Sequence, residues 1–202
     1  RWVAQPDKAS KPEPLMSSQA LNELTLRIAA CEHLSIDLSV ILGWMQGQLK
    51  SGNSAADRPS LCLALRVSQA QLTIITPPGV TLTQEQASAV EYPLFAEDDK
   101  TEQWLQLPFW PQPIYARRLF PQGDIPGAWL LLPGRWGNEP LALTLEPLRR
   151  ALSDGLRICL AHQRQREEAI EKERREYAAE LHDTIAQELG YLRLRTSRLE
   201  KA

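Results

Sequence analysis

Three side chains near the C-terminus have the types and spacing to share one piece of chemistry. They are His182, Asp183 and Gln187, in the string Glu180-Leu181-His182-Asp183-Thr184-Ile185-Ala186-Gln187. An imidazole is both nucleophile and proton carrier near neutral pH, and an adjacent acid can hold it in one tautomer. The run from Leu141 to Lys201 has no Pro after Pro147, and its only Gly residues are Gly155 and Gly190. One long helix is therefore expected to carry all three. With Leu181 at zero and about 100° per residue, Leu192, Ile185, Ala178 and Leu189 fall between about 20° and about 80°, an apolar stripe. His182 lands at about 100°, on the lip of that stripe, and Ala186, Ala179 and Gly190 follow, leaving little bulk beside it. Asp183 and Gln187 are four apart and so are neighbours on the helix surface. Such a surface lets a second molecule reach the imidazole. A solvated histidine on an amphipathic helix is the plainer alternative.

The surrounding string decides how these residues are read. Residues 173–189, Glu-Arg-Arg-Glu-Tyr-Ala-Ala-Glu-Leu-His-Asp-Thr-Ile-Ala-Gln-Glu-Leu, resemble the phosphoacceptor box of sensor histidine kinases with the motif His-Asp-x-x-x-Gln. Among these the stretch is most similar to the nitrate/nitrite sensor kinases. The resemblance implies that His182 accepts the γ-phosphate of ATP and passes it to the receiver domain of a response regulator. It implies that Asp183 orients the imidazole and raises its nucleophilicity, and that Gln187 positions water during dephosphorylation of the partner. It also implies a homodimer, with ATP and Mg2+ as cofactors of the full-length kinase, held by the protein's own ATP-binding domain. That domain and the second helix of the dimerisation hairpin are expected beyond Ala202, so this chain alone is expected to be inactive. By the same resemblance the chain is the cytoplasmic portion of a parent in the bacterial inner membrane, any membrane segment lying outside it.

The elements that must position this box begin far upstream. A length of 202 residues admits one or two domains, and 43% apolar with 24% charged residues is enough for a core. A formal net charge of -2 gives no electrostatic case for nucleic acid. Cys31, Cys62 and Cys159 form neither a disulfide framework nor a zinc pattern. Cys31-Glu32-His33 lacks a second ligand pair, so those residues read as buried filler, not a metal or haem site. No run of 18 apolar residues and no signal-peptide layout occurs.

Residues 1–14, with Pro6, Pro12 and Pro14, read as a linker. Ser17 or Ser18 is placed to cap a helix from about Gln19, marked by Leu21, Leu24, Leu26 and Ile28. Ser35 or Asp37 is placed to cap a second one, marked by Leu38, Ile41, Leu42, Met45 and Leu49. After a polar loop at 51–59 the period becomes two. Leu61, Leu63, Leu65 and Val67 alternate with Cys62, Ala64, Arg66 and Ser68, which predicts a half-buried strand. Further strands are expected at 71–76, 103–109, 114–120 and 128–132, with a short helix at 82–90, an exposed turn at 97–100 and turn chemistry at 121–127.

Strands framed by helices predict an α+β domain with a mostly antiparallel sheet, followed by a long C-terminal helix. That order resembles the GAF/PAS class of sensor domains. The implied division is a linker at 1–14, a GAF-like sensor domain at 15–145, a signalling helix at 146–172, and the first helix of the dimerisation and histidine-phosphotransfer domain at 173–202. Trp104, Trp110, Trp129, Trp136 and Tyr115 are read as core before pocket. Arg117-Arg118 suit either an anion or a charged strand edge. From His162 to Glu176 the apolar seam thins to Ala169 and Ile170, which suits either a register-shifting relay or a plain spacer. The same features also fit a different class of protein, a non-catalytic GAF-like dimerisation and relay module in which His182 is incidental.

Overall fold

A computed structural model describes residues 15–49, 60–68, 71–95, 100–120, 127–134 and 141–199. The elements run α1 (Ser18–Ala29), α2 (Leu34–Gln48), β1 (Cys62–Ser68), β2 (Gln71–Ile75), α3 (Gln84–Phe95), β3 (Glu102–Leu105), β4 (Ile114–Arg118), β5 (Ala128–Pro133) and α4 (Leu141–Leu199). The five strands form one sheet in the order β2-β1-β5-β4-β3, every neighbouring pair antiparallel. The fold is α+β with a long C-terminal helix, as the pattern of periods predicts. The linker at 1–14, the loop at 51–59, all but Lys100 of the turn at 97–100 and most of the turn at 121–127 lie outside the described residues.

Helix α1 starts where Ser17 supplies an acceptor: its Oγ receives the Ala20 N–H at 3.2 Å. Leu24 and Ile28 are fully buried, but Leu26 points outward, because two residues on from Leu24 is the far side of a helix. Helix α2 departs from the expected capping. It begins at Leu34 with His33 as a cap that makes no side-chain bond, and Asp37 reaches back instead, accepting from the N–H groups of Glu32 at 2.9 Å and His33 at 2.8 Å. Those bonds, His33 first, hold the Asp37 carboxyl below the ordinary range. Leu38, Ile41, Leu42 and Met45 form the inward stripe of α2.

Strand β1 is not half-buried. Leu61 to Leu65 are all buried, because the sheet is covered on both faces. Leu63, Leu65, Ile75, Tyr115, Leu130 and Leu132 pack with α1, α2 and the first turns of α4. Cys62, Ala64, Ile114, Ala116, Trp129 and Leu131 face the other way, with Val90 and Leu94 of α3 and with Leu105, Leu107 and Trp110. The period of two assigns the faces correctly; it does not say that both are covered. Helix α3 runs past Val90 to Phe95, through Pro93. Leu94 is buried one turn after Val90, and the Pro93 carbonyl accepts from the Gln103 side chain at 3.1 Å, contacts that hold the extra turn in place. Strand β3 stops at Leu105, earlier than expected, since the chain then turns so that Leu107 and Trp110 enter the second core.

The chain divides into two compact units, Arg1–Cys159 and Leu160–Ala202. Residues 141–159 of α4 belong to the first, with Leu145, Leu148, Leu152, Leu156 and Cys159 buried. Close approach of α4 to α1 depends on Gly155, where an added Cβ would lie 2.8 Å from the Ile28 Cβ and 3.0 Å from the Thr25 carbonyl oxygen. Gly155→Ala is therefore expected to destabilise the chain by about 1–2 kcal/mol. Overpacking costs about 1–3 kcal/mol, and the better helix propensity of Ala returns up to about 1 kcal/mol. A lower urea midpoint checks it; an unchanged or raised midpoint contradicts the contact.

An ionic cluster joins the sheet to α4 within this unit. Arg117 of β4 bonds both Glu102 of β3 and Glu146 of α4, the latter at 3.2 Å. Glu146 also receives Arg149 at 2.7 Å and Arg150 at 3.0 Å. The Arg149 hydrogen bond, with help from Arg150 and Arg117, pulls the Glu146 carboxyl down to about 2 from an ordinary value of 4.5. A depressed carboxylate stabilises the fold above its unfolded pKa and loses that contribution as pH falls through the folded one. Acid titration should thus cost the wild type stability between about pH 4.5 and about pH 2 that Glu146→Gln lacks altogether. Urea midpoints measured across that window test the sign.

Candidate functional site

The second unit carries the residues singled out by chemistry, all on α4. His182 and Asp183 are almost fully exposed, at 84% and 82% of their side-chain surface. The Nδ1 atom of His182 lies 3.7 Å from Oδ1 of Asp183, inside ion-pair range and just beyond a hydrogen bond. With a proton held on Nδ1 toward Asp183, the lone pair is left on Nε2, free to meet an electrophile. Gln187 is exposed one turn after Asp183, about 7.5 Å along the axis from His182 at about 1.5 Å per residue. The helix brings His182 and Asp183 together and leaves Gln187 beside them, not in contact.

The backbone beneath the site is orderly. Thr184 donates its hydroxyl to the Glu180 carbonyl at 2.9 Å, so its side chain folds onto the helix and leaves the imidazole clear. Before the site, Arg175 pairs with Glu171 at 3.3 Å and Lys172 with Glu176 at 3.8 Å, exposed pairs four residues apart that each support the helix weakly. Leu181, Ile185, Leu189 and Leu192 are more than half exposed along the predicted stripe. A helix of this length is held in water mainly by packing of such a face, so the stripe is an uncovered seam running past His182.

Other residues that the sequence brings forward fall elsewhere. Trp110, Trp129 and Tyr115 are buried; the Trp110 indole donates to the Gln86 carbonyl at 3.1 Å and Tyr115 donates to Glu102 at 2.5 Å. Trp104 is 52% exposed on the sheet edge, its ring tilted against Tyr115 with centroids 5.2 Å apart. Trp136 lies outside the described residues. A shallow depression of about 860 Å³ is lined by Thr83, Glu85, Ser88, Pro108 and Phe109 at the start of α3, and none of the described tryptophans borders it. The described aromatics of that cluster are core and edge, not pocket walls.

Arg117 is tied to two carboxylates, and Arg118 lies over the Trp129 ring at 5.8 Å. Sequence reasoning misses the part played by Glu146 and Arg149. Their spacing in Glu146-x-x-Arg149-Arg150 marks an ion pair on one helix face, but the strand partner Arg117 leaves no local signal.

No group of three or more metal-binding side chains occurs among the described residues. Among the same residues, no helix is long and apolar enough to cross a membrane. Cys31, Cys62 and Cys159 are buried free thiols, with the Cys159 Sγ 3.5 Å from the Cys31 carbonyl oxygen. Burial drives the thiols of Cys31 and Cys62 up to about 12, Cys31 with a further push from Cys159. Iodoacetamide at pH 8 is thus expected to leave all three unmodified in the native chain and to label them in urea, as read by mass spectrometry. Cys159→Ala should cost only about 1 kcal/mol, the removal of one small buried group. Rapid native labelling would contradict the buried, unreactive assignment.

Comparison with family models, with curated proteins and with solved structures gave no match to this chain.

Proposed function

We propose that this chain is the sensor and phosphoacceptor portion of a two-component sensor histidine kinase of the nitrate/nitrite-responsive type. The observation that carries the reading is the exposed imidazole of His182, with Asp183 at 3.7 Å from its Nδ1, on the lip of an uncovered apolar seam. The motif resemblance of residues 173–189 supplies the reaction. His182 Nε2 attacks the γ-phosphorus of Mg2+-bound ATP, the bond from that phosphorus to the β,γ-bridging oxygen breaks, and ADP leaves. Asp183 keeps the Nδ1 proton and stabilises the cationic ring that forms. The phosphoryl group then passes to an aspartate of a response-regulator receiver domain. Gln187 places a water for the reverse, hydrolytic reaction. The seam of Leu181, Ile185, Leu189 and Leu192 is the surface of a homodimer.

The first unit suits a GAF-like sensor domain. Its element order supports this: helices, a strand pair, an inserted short helix, three more strands, and a helix leading out. On this reading the chain is cytoplasmic and its parent sits in the bacterial inner membrane. The competing reading, a dimerisation and relay module without phosphoryl chemistry, shares the seam but gives His182 no role. Incubating the chain with Mg2+, γ-labelled ATP and a kinase ATP-binding domain supplied in trans separates the two. Acid-labile, base-stable phosphate mapped to His182 supports the kinase reading. A stable dimer that takes no label, beside an intact kinase that does, leaves the relay module.

A further inference from the structure

Arg117 is shared between two elements that do not otherwise belong together. Its guanidinium reaches Glu102 on the edge strand β3 through Nη1 and Glu146 near the root of α4 through Nη2, the latter at 3.2 Å. Glu102 is also the acceptor of the Tyr115 hydroxyl at 2.5 Å, and its side chain keeps 43% of its surface in solvent. Glu146 is more enclosed, at 26%, and is held from the other side by Arg149, whose Nη1 donates to the Leu119 carbonyl just after β4 at 2.8 Å. One planar fork therefore lies between an accessible carboxylate on a sheet edge and an enclosed one on the helix that leads out of the unit. Among the described strands, β3 is an edge strand that pairs with β4 alone.

We propose that Arg117 is a relay whose division between Glu102 and Glu146 sets how firmly the root of α4 is held to the sheet. The two carboxylates draw on one positive charge. When Glu102 is neutralised or engaged by another cation, Arg117 is released toward Glu146 and α4 is held more tightly; when Glu102 draws harder, α4 is held less. A coupling of this kind is reciprocal, so loosening α4 must equally change the grip on β3. Arginine suits the position because its fork can hold two acceptors at once, whereas a lysine ammonium acts as a single point. The relay needs only residues of the first unit and stands whether or not His182 is phosphorylated.

Hydrogen exchange of the intact chain, read by mass spectrometry on peptides covering 143–152, tests the relay through local opening. Glu102→Gln keeps the shape and the Tyr115 acceptor but removes the charge. It is expected to slow exchange at the root of α4 by about fivefold, the low end of measured site-to-site couplings, with α1 and α2 unchanged. Arg117→Met should speed exchange there by about tenfold, and adding Glu102→Gln to it should then change nothing. Arg117→Lys, which keeps the charge, serves where the Met variant fails to fold, and in that background the response to Glu102→Gln should also vanish. Faster exchange in Glu102→Gln would make the cluster a plain scaffold and overturn the relay. So would no change, or a response that persists without Arg117.

Discussion

On the proposed reading, a chain carrying His182→Gln is expected to take up no acid-labile phosphate under conditions expected to label the wild type, with its sedimentation unaltered. Glutamine preserves size and hydrogen bonding but has no nucleophilic nitrogen, so the loss is complete and not graded. The dimer should survive because His182 lies beside the seam of Leu181 and Ile185, not within it, and is 84% exposed. Asp183→Asn is the graded case. It keeps the geometry of a partner 3.7 Å from Nδ1 but removes the charge that stabilises the developing imidazolium. Labelling should slow by roughly 10²-fold, the lower end for a lost acid–base partner. Gln187→Ala should leave labelling intact and impair only dephosphorylation of the receiver domain, because that amide lies about 7.5 Å further along the helix. Equal loss of both activities in Gln187→Ala would remove the separate role assigned to it. Residual labelling of His182→Gln at another site would remove the assignment of the nucleophile.

Sedimentation of the double variant Leu181→Lys, Ile185→Lys should show a monomer at concentrations where the wild type is expected to be a dimer. Each Leu or Ile buried in full contributes about 1.5–3 kcal/mol. At 54–62% exposure, eight such positions across the pair supply a gross term of roughly 7–14 kcal/mol, on the scale of the roughly 4–15 kcal/mol lost on association. Two lysines in each copy remove about half of that term and bring like charges together across the seam, leaving too little to hold the pair. Far-UV circular dichroism should also lose helical signal, since the described side chains of residues 160–199 include none that is buried. Thermal unfolding of the first unit should stay where it was, because its core ends at Cys159 and none of its buried residues is altered. A wild-type chain that remains monomeric at millimolar concentration would sink the seam assignment outright.

Much of this protein is legible without coordinates, and the reason is local. A side chain's face follows from its position in a repeat, so Leu38, Ile41, Leu42 and Met45 announce α2, and Leu148, Leu152 and Leu156 announce the inward side of α4. The site is legible for the same cause: His182, Asp183 and Gln187 share one helix, and their relation is set by helical rise and twist alone. Capping was half legible. Ser17 acts where a hydroxyl before a helix should, whereas Asp37 serves its helix from inside, a choice made by the path of residues 31–33.

Whatever depends on two distant segments meeting belongs to the tertiary structure. Alternation along β1 separates Leu63 from Cys62, but only the arrival of α1, α2 and α4 on one face and α3 on the other buries both. Helical period sets Leu26 opposite Leu24, but only packing decides which of those two faces is covered. Gly155 is an ordinary helix-weakening residue until Ile28 stands 2.8 Å from where its Cβ would be. Arg117 reads as an edge charge until Glu102 and Glu146 are brought to either side of it. Periodicity states which way a side chain faces, and contact between segments far apart in the chain decides what it faces.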